Sequence, residues 1–287
     1  MKRLTTFPKT FARTFTKSLS EPQYYNHVVN AKLSFSIKYF IFFYFILSAA
    51  QTIIFSFRDL PKITQAAQGI IHDLTTHYPP DLVITAENET LSISGVEEPY
   101  FIPFPESISE LGEETGFTNL AVLDTTTQIA APDTLVTVTA KEFIVRSPDG
   151  RKQSYPVGYI EKPITLDRNA VGLLTSAAQS YIQTGFRFLP FVMFAFIAIF
   201  QPITTIIILL FYALFILISS NILRKNLSYK KSFQIGLHTI TFAETVQFLQ
   251  STVFPNFDTS IFFPLAFFGA SLIAVWSLKP RLQSKSR

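Results

Sequence analysis

Glu244 is the only charged residue in the apolar run 233–253, so it is the first candidate for chemistry. A carboxylate at mid-bilayer is costly and should face a helical bundle or a wet cavity. His238, Thr241 and Glu244 step by three along one helix, and Gln247 lies at the edge of the same polar side. The pattern suits two chemistries. One is a polar pathway or ion site. The other is a cluster of interhelical hydrogen bonds that fixes packing. A single acid without an intramembrane Lys or Arg favours the second.

The other candidates are weaker. His72 and His77 are five apart around Asp73, whereas zinc-binding helices place two histidines four apart. This spacing reads as a solvated helix face. Glu97-Glu98 and Glu106/Glu110/Glu113/Glu114 are acidic runs of the kind that solvate a surface. Asp124, in LDTT, is placed to cap a turn, with ligation at a strand end as the alternative. The chain has no cysteine, which removes thiolate metal sites and cysteine nucleophiles. It also lacks a phosphate-binding glycine loop, a nucleophile elbow and an HExxH motif. No catalytic residue, metal ligand or cofactor is therefore assigned.

The N-terminal segment points to a surface. Phe7, Phe11 and Phe15 recur every four residues, and Lys9, Arg13 and Lys17 do so on the other side. On one helix these form an apolar and a basic stripe. Such a helix should lie on a membrane leaflet, with its rings at the acyl boundary and its cations on anionic lipid. The alternative is a short helix packed on a bundle.

These residues need elements to hold them. The 287 residues are 48% hydrophobic, 15% charged and include 31 Phe, with mean hydropathy +0.30. Soluble domains carry about a quarter charged residues. Four apolar runs, at 35–57, 187–223, 233–254 and 259–278, are each sufficient to cross a hydrocarbon core of ~30 Å. Gln201-Pro202 interrupts the second, so it is expected to be kinked. Residues 188–200 are open to three readings: a helical extension, an interfacial helix or half of a tight hairpin.

Charge sets the orientation. From 58 to 187 there are 17 acidic and 9 basic residues, whereas the rest of the chain has 15 Lys and Arg against 3 acids. Cytoplasmic loops concentrate Lys and Arg. Segment 1–34, loop 224–232 and tail 279–287 are thus expected inside, and 58–186 outside. The basic residues flank apolar runs, which argues against nucleic acid despite a pI near 9.1.

Within 58–186, period-two stretches predict a small α+β domain. Residues 82–86 and 90–94 flank AENET as a hairpin, and 142–146 and 151–155 flank SPDG. Residues 64–77 read as a helix stopped by Tyr78-Pro79-Pro80.

Together with the basic start and the loop RKNLSYKKSF, the segments PPDLVITAENETLSISGVEEPYFIPFPE and NLAVLDTT and the SPDG hairpin carry a resemblance. The chain resembles a family of uncharacterised bacterial integral membrane proteins, classed as a domain of unknown function, some near maltodextrin-utilisation genes. Its C-terminal helices are similar to the Yip-type membrane domain. The resemblance implies architecture and no catalytic residue.

The expectation is an α-helical polytopic membrane protein of about four transmembrane helices with an inserted extracytoplasmic α+β domain. It would sit in a bacterial cytoplasmic membrane with both termini inside. It would serve as a non-enzymatic scaffold or sensor for a protein partner, with a transport system as the candidate. The alternative is a small transporter or permease accessory subunit using the polar face around Glu244.

Overall fold

The computed structural model describes residues 7–126, 131–158, 162–254 and 261–279. Residues 255–258 of the link between the third and fourth apolar runs, and the basic tail beyond Lys279, lie outside the described residues. The chain is mostly helical with a sheet region, and it divides into two compact units, 1–54 with 190–287 and 55–189.

The first unit is helical. It opens with α1 (Phe7–Ser20), a 3-10 turn (Pro22–Tyr24) and α2 (Tyr25–Asn30). Helix α3 (Leu33–Arg58), of which residues up to 54 belong to this unit, and the 55-residue α6 (Arg168–Ile222), of which residues from 190 on do, are long and apolar enough to cross a membrane. Residues 188–200 lie within α6, which also contains Pro190 and Pro202. Helices α7 (Tyr229–Val253) and α8 (Phe262–Trp276) complete the unit.

α7 is the central helix of this unit. From Ser232 to Glu244 nearly every side chain is buried, including Gln234, His238, Thr239 and Thr241. A helix enclosed by protein needs no apolar coat, which explains why α7 is less apolar than α3 or α6. α3 and α6 instead turn Ile41, Phe45, Phe196, Ile207, Phe211 and Ile218 outward. Phe40, Tyr44, Leu209, Ile216, Ile240 and Phe267 form the core. Gly236 permits the approach of α6: a Cβ there would lie 2.6 Å from Leu209 Cδ1.

The second unit contains α4 (Leu60–His77) and two sheets. Strands β1 (Val83–Glu87) and β2 (Thr90–Ser94) form the AENET hairpin. Its two turn residues, Asn88 and Glu89, have φ of +48° and +63°. Paired positive φ values match the twist of a two-residue hairpin. β8 (Ile164–Leu166) pairs with the other edge of β1.

The second sheet runs β3 (Tyr100–Pro103), β4 (Asn119–Leu123), β5 (Thr134–Val138), β6 (Glu142–Arg146) and β7 (Lys152–Pro156). β4 and β5 are parallel and the other pairs antiparallel. Between β3 and β4 come a 3-10 turn (Glu106–Ile108) and α5 (Ser109–Thr115). Leu82, Leu91, Leu123, Val138 and Val157 close a small core between the sheets. The Leu91 N–H donates to Ala140 O at 2.7 Å and ties the sheets together.

Candidate functional site

Gln234, His238, Thr241 and Glu244 of α7 each meet a partner. Gln234 Nε2 donates to the carbonyls of Val28 at 2.7 Å and Ala31 at 3.1 Å. The ring of His238 is fully buried. Its Nδ1 is 3.2 Å from Ser18 Oγ and its Nε2 3.1 Å from Ser36 Oγ. Tyr39 stacks on it, with centroids 4.6 Å apart and planes at 7°. Thr241 Oγ1 donates to His238 O at 2.6 Å and accepts from Tyr39 OH at 3.3 Å. Glu244 Oε1 accepts from Tyr44 OH at 2.6 Å, and the Tyr44 oxygen is 2.9 Å from Thr205 Oγ1. His238, Thr241 and Glu244 thus share one buried seam, facing α1, α3 and α6. Gln247 is half-buried on the next turn and stays outside this chain of bonds.

On α1, Phe11 and Phe15 lie on the side that meets α3. Phe11 lies against Tyr39 and Phe42 of α3, with centroids 5.4 and 4.8 Å away, and Phe15 lies 6.0 Å from Phe43. Thr14 and Ser18 are buried. Lys9 and Arg13 are exposed, and Lys17 pairs with Glu21 at 2.6 Å. Phe7 begins the helix.

In the second unit a cleft of about 300 Å³ opens where α4 ends against β3 and the prolines that follow it. Tyr78, Tyr100 and Phe104 supply rings, and Leu74, Ile102 and Leu120 supply aliphatic surface. Asp73, His77 and Glu106 bring polar groups to it. The walls are held from behind. Tyr78 OH donates to Leu166 O at 2.9 Å. Burial, with a smaller contribution from the negative charge of Asp167, pushes this phenol's pKa up, so it remains a donor. Ser107 Oγ donates to Asp73 Oδ2 at 3.2 Å, and His77 Nδ1 is 3.2 Å from the Asp73 carbonyl. Gly69 allows this packing, since a Cβ there would lie 2.4 Å from Ser107 Cβ. Among the described residues, no three ligand-type side chains converge on a metal position.

LDTT forms a turn. Asp124 Oδ1 accepts from the Thr126 N–H at 3.0 Å and from Thr126 Oγ1 at 2.6 Å. Thr125 donates its N–H and its hydroxyl to the Glu98 carboxylate, the hydroxyl at 2.7 Å from Oε2. β3 pairs with β4 in the register Tyr100↔Leu123, which sets Glu98 beside Thr125. Sequence reasoning missed the Glu98–Thr125 pair and the cleft. Their only local signal is the density of prolines and rings at 78–80 and 99–105, two of the segments that carry the resemblance.

A family model described as "Protein of unknown function (DUF1189)" matches residues 13–276. No curated protein and no solved structure matches the chain.

Proposed function

We propose that this chain, which belongs to that family of proteins of unknown function, is a non-enzymatic integral membrane protein whose 58–186 domain binds a partner or ligand. The observation that carries this reading is the cleft at the end of α4. It combines apolar rings, held from behind, with a few polar groups at its edge, as binding sites generally do. The resemblance's maltodextrin-utilisation neighbourhood directs the search for that partner to transport systems.

The domain would be held at the outer face of a bacterial cytoplasmic membrane by four helices: α3, the second half of α6, α7 and α8. Outward-facing phenylalanines and isoleucines on α3 and α6 support lipid contact. The acidic balance of 58–187 and the basic remainder of the chain support this orientation. Lys9 and Arg13, exposed on α1, would meet the anionic leaflet.

A photocrosslinking residue at Ile102, inside the cleft, tests the binding role in native membranes. One discrete adduct is expected there. The same probe at Gln153 should give none, because β7 is at the opposite edge of the sheet from β3. Identical patterns from the two positions would remove the cleft as the binding surface.

One observation favours a second reading, a small transporter or permease accessory subunit. The side-chain oxygens of Gln51, Gln201 and Gln250 are buried and have no hydrogen-bond partner among the described residues. All three lie on the same side of the Tyr44–Thr205–Glu244 contact. α3 and α7 run parallel, as the pairs Ser36–His238 and Tyr44–Glu244 require, and α6 runs against them. Glu244→Gln should then abolish solute or ion flux in reconstituted vesicles at normal protein levels. Normal flux in that variant ends this reading.

A further inference from the structure

Near the ends of α6 and α8, the first unit holds a polar cavity of about 530 Å³. Three distant stretches of chain wall it: residues 17–30, 225–227 and 278–279. They gather Lys17, Lys225, Lys279 and His27 around one acid, Glu21. Crowding ammonium groups costs about 1 kcal/mol per pair at 4 Å even in bulk water. Glu21 relieves Lys17 at 2.6 Å. Lys225 and Lys279 have no ion-pair partner among the described residues.

Lys225 is held through its side chain and Lys279 through its backbone. Lys225 Nζ donates to the Leu278 carbonyl. The Lys279 N–H donates to Asn26 Oδ1 at 2.9 Å, and Ser277 Oγ donates to Pro22 O at 2.6 Å. Asn26 Nδ2 reaches Ser277 O at 3.3 Å. The positive wall is therefore part of the packed structure. Apolar surface adjoins it. Ile222, three residues before Lys225, is 75% exposed, and Trp276, two residues before Leu278, is 73% exposed. An exposed Trp beside lysines suits the boundary between headgroups and acyl chains.

A ligand that satisfies both features has an anionic head and an apolar tail. We propose that this cavity binds the phosphate headgroup of an anionic phospholipid, whose chains lie along the exposed apolar ends of α6 and α8. Basic pockets between helices take such headgroups. The proposal rests on the membrane reading above, and only on its claim that these helices meet lipid. It is distinct from the leaflet contact of Lys9 and Arg13, which do not line the cavity, although Lys17 of the same stripe does.

The test uses the full chain in an uncharged detergent, with phosphatidylglycerol, phosphatidylcholine or inorganic phosphate added. Thermal unfolding and native mass spectrometry report binding. Phosphatidylglycerol should raise the midpoint and remain bound, and the other two should do neither. Lys279→Glu should weaken phosphatidylglycerol binding about tenfold, and Lys9→Gln should leave it within about twofold. If the reversal fails to fold, Lys279→Gln, which keeps the backbone bond to Asn26, serves instead and should weaken binding less. Equal loss in Lys9→Gln overturns the site in favour of diffuse surface charge. Equal stabilisation by inorganic phosphate overturns the lipid. No response to phosphatidylglycerol overturns the proposal altogether. The assay has no sidedness, so its outcome is independent of the orientation proposed above.

Discussion

The Tyr44 hydroxyl donates to Glu244 Oε1 at 2.6 Å, across 200 positions of sequence. This contact joins α3 to α7 and gives the carboxyl of the central helix its donor. A buried acceptor that loses its donor costs about 1–3 kcal/mol. The pair therefore contributes to packing whichever functional reading holds.

A double-mutant cycle on Tyr44→Phe and Glu244→Leu measures the contact, since an amide at 244 would still accept from the hydroxyl. Interhelical hydrogen bonds in bilayers couple by about 0.6 kcal/mol, up to about 1.7. A coupling in that range is expected from unfolding in mixed micelles. Strictly additive losses would show that the two side chains do not cooperate.

Gly236→Val should destabilise the helical unit by about 1–3 kcal/mol, the usual cost of overpacking. A Cβ would meet Leu209 Cδ1 at 2.6 Å, and two γ-methyls add to the clash. Gly185→Val is the control, since nothing lies within 4 Å of a Cβ there. Thermal melting of both variants decides it, and equal midpoints would refute the close approach.

Thr125→Val removes a hydroxyl donor to Glu98 and leaves the backbone N–H in place. Hydrogen bonds to charged groups contribute about 1.5–3 kcal/mol, and partial exposure reduces that here. Faster amide exchange is expected in 119–126, with 142–146 unchanged as the internal reference. Unaltered exchange in 119–126 would mean that Glu98 does not hold this turn.

Single cysteines at Ser147 and Ser228 test the orientation, and the cysteine-free chain requires no background substitutions. A membrane-impermeant maleimide should label position 147 on intact spheroplasts and should reach position 228 only after lysis. Labelling of 228 from outside would reverse the proposed map.

The sequence was most legible where one element carries its own period. The four-residue spacing of Phe7, Phe11 and Phe15 marks α1, and AENET marks the β1–β2 turn. The two short strands escaped. β3 is four residues bounded by prolines, and β8 is only three residues, so neither offers enough alternation to read. The parallel pairing of β4 with β5 depends on contacts that no local pattern encodes. The polar side of α7 followed the same division. Its cost could be read from the isolated acid in an apolar run. The identities of Tyr44, Ser18 and Ser36 as its partners could not, because they arrive from two other helices. The lysine-walled cavity is the extreme case, assembled from three distant stretches.

Ser18 and His238 are 220 positions apart, and this has a consequence for biogenesis. A ribosome completes α1, α3 and both sheets before it reaches the codon for His238. Until then α1 has no α7 to rest against, and its inward side, Thr14 and Ser18, is uncovered. α1 is thus among the last of the described helices to settle, and a nonsense codon ahead of α7 would leave its inward side uncovered in every nascent copy.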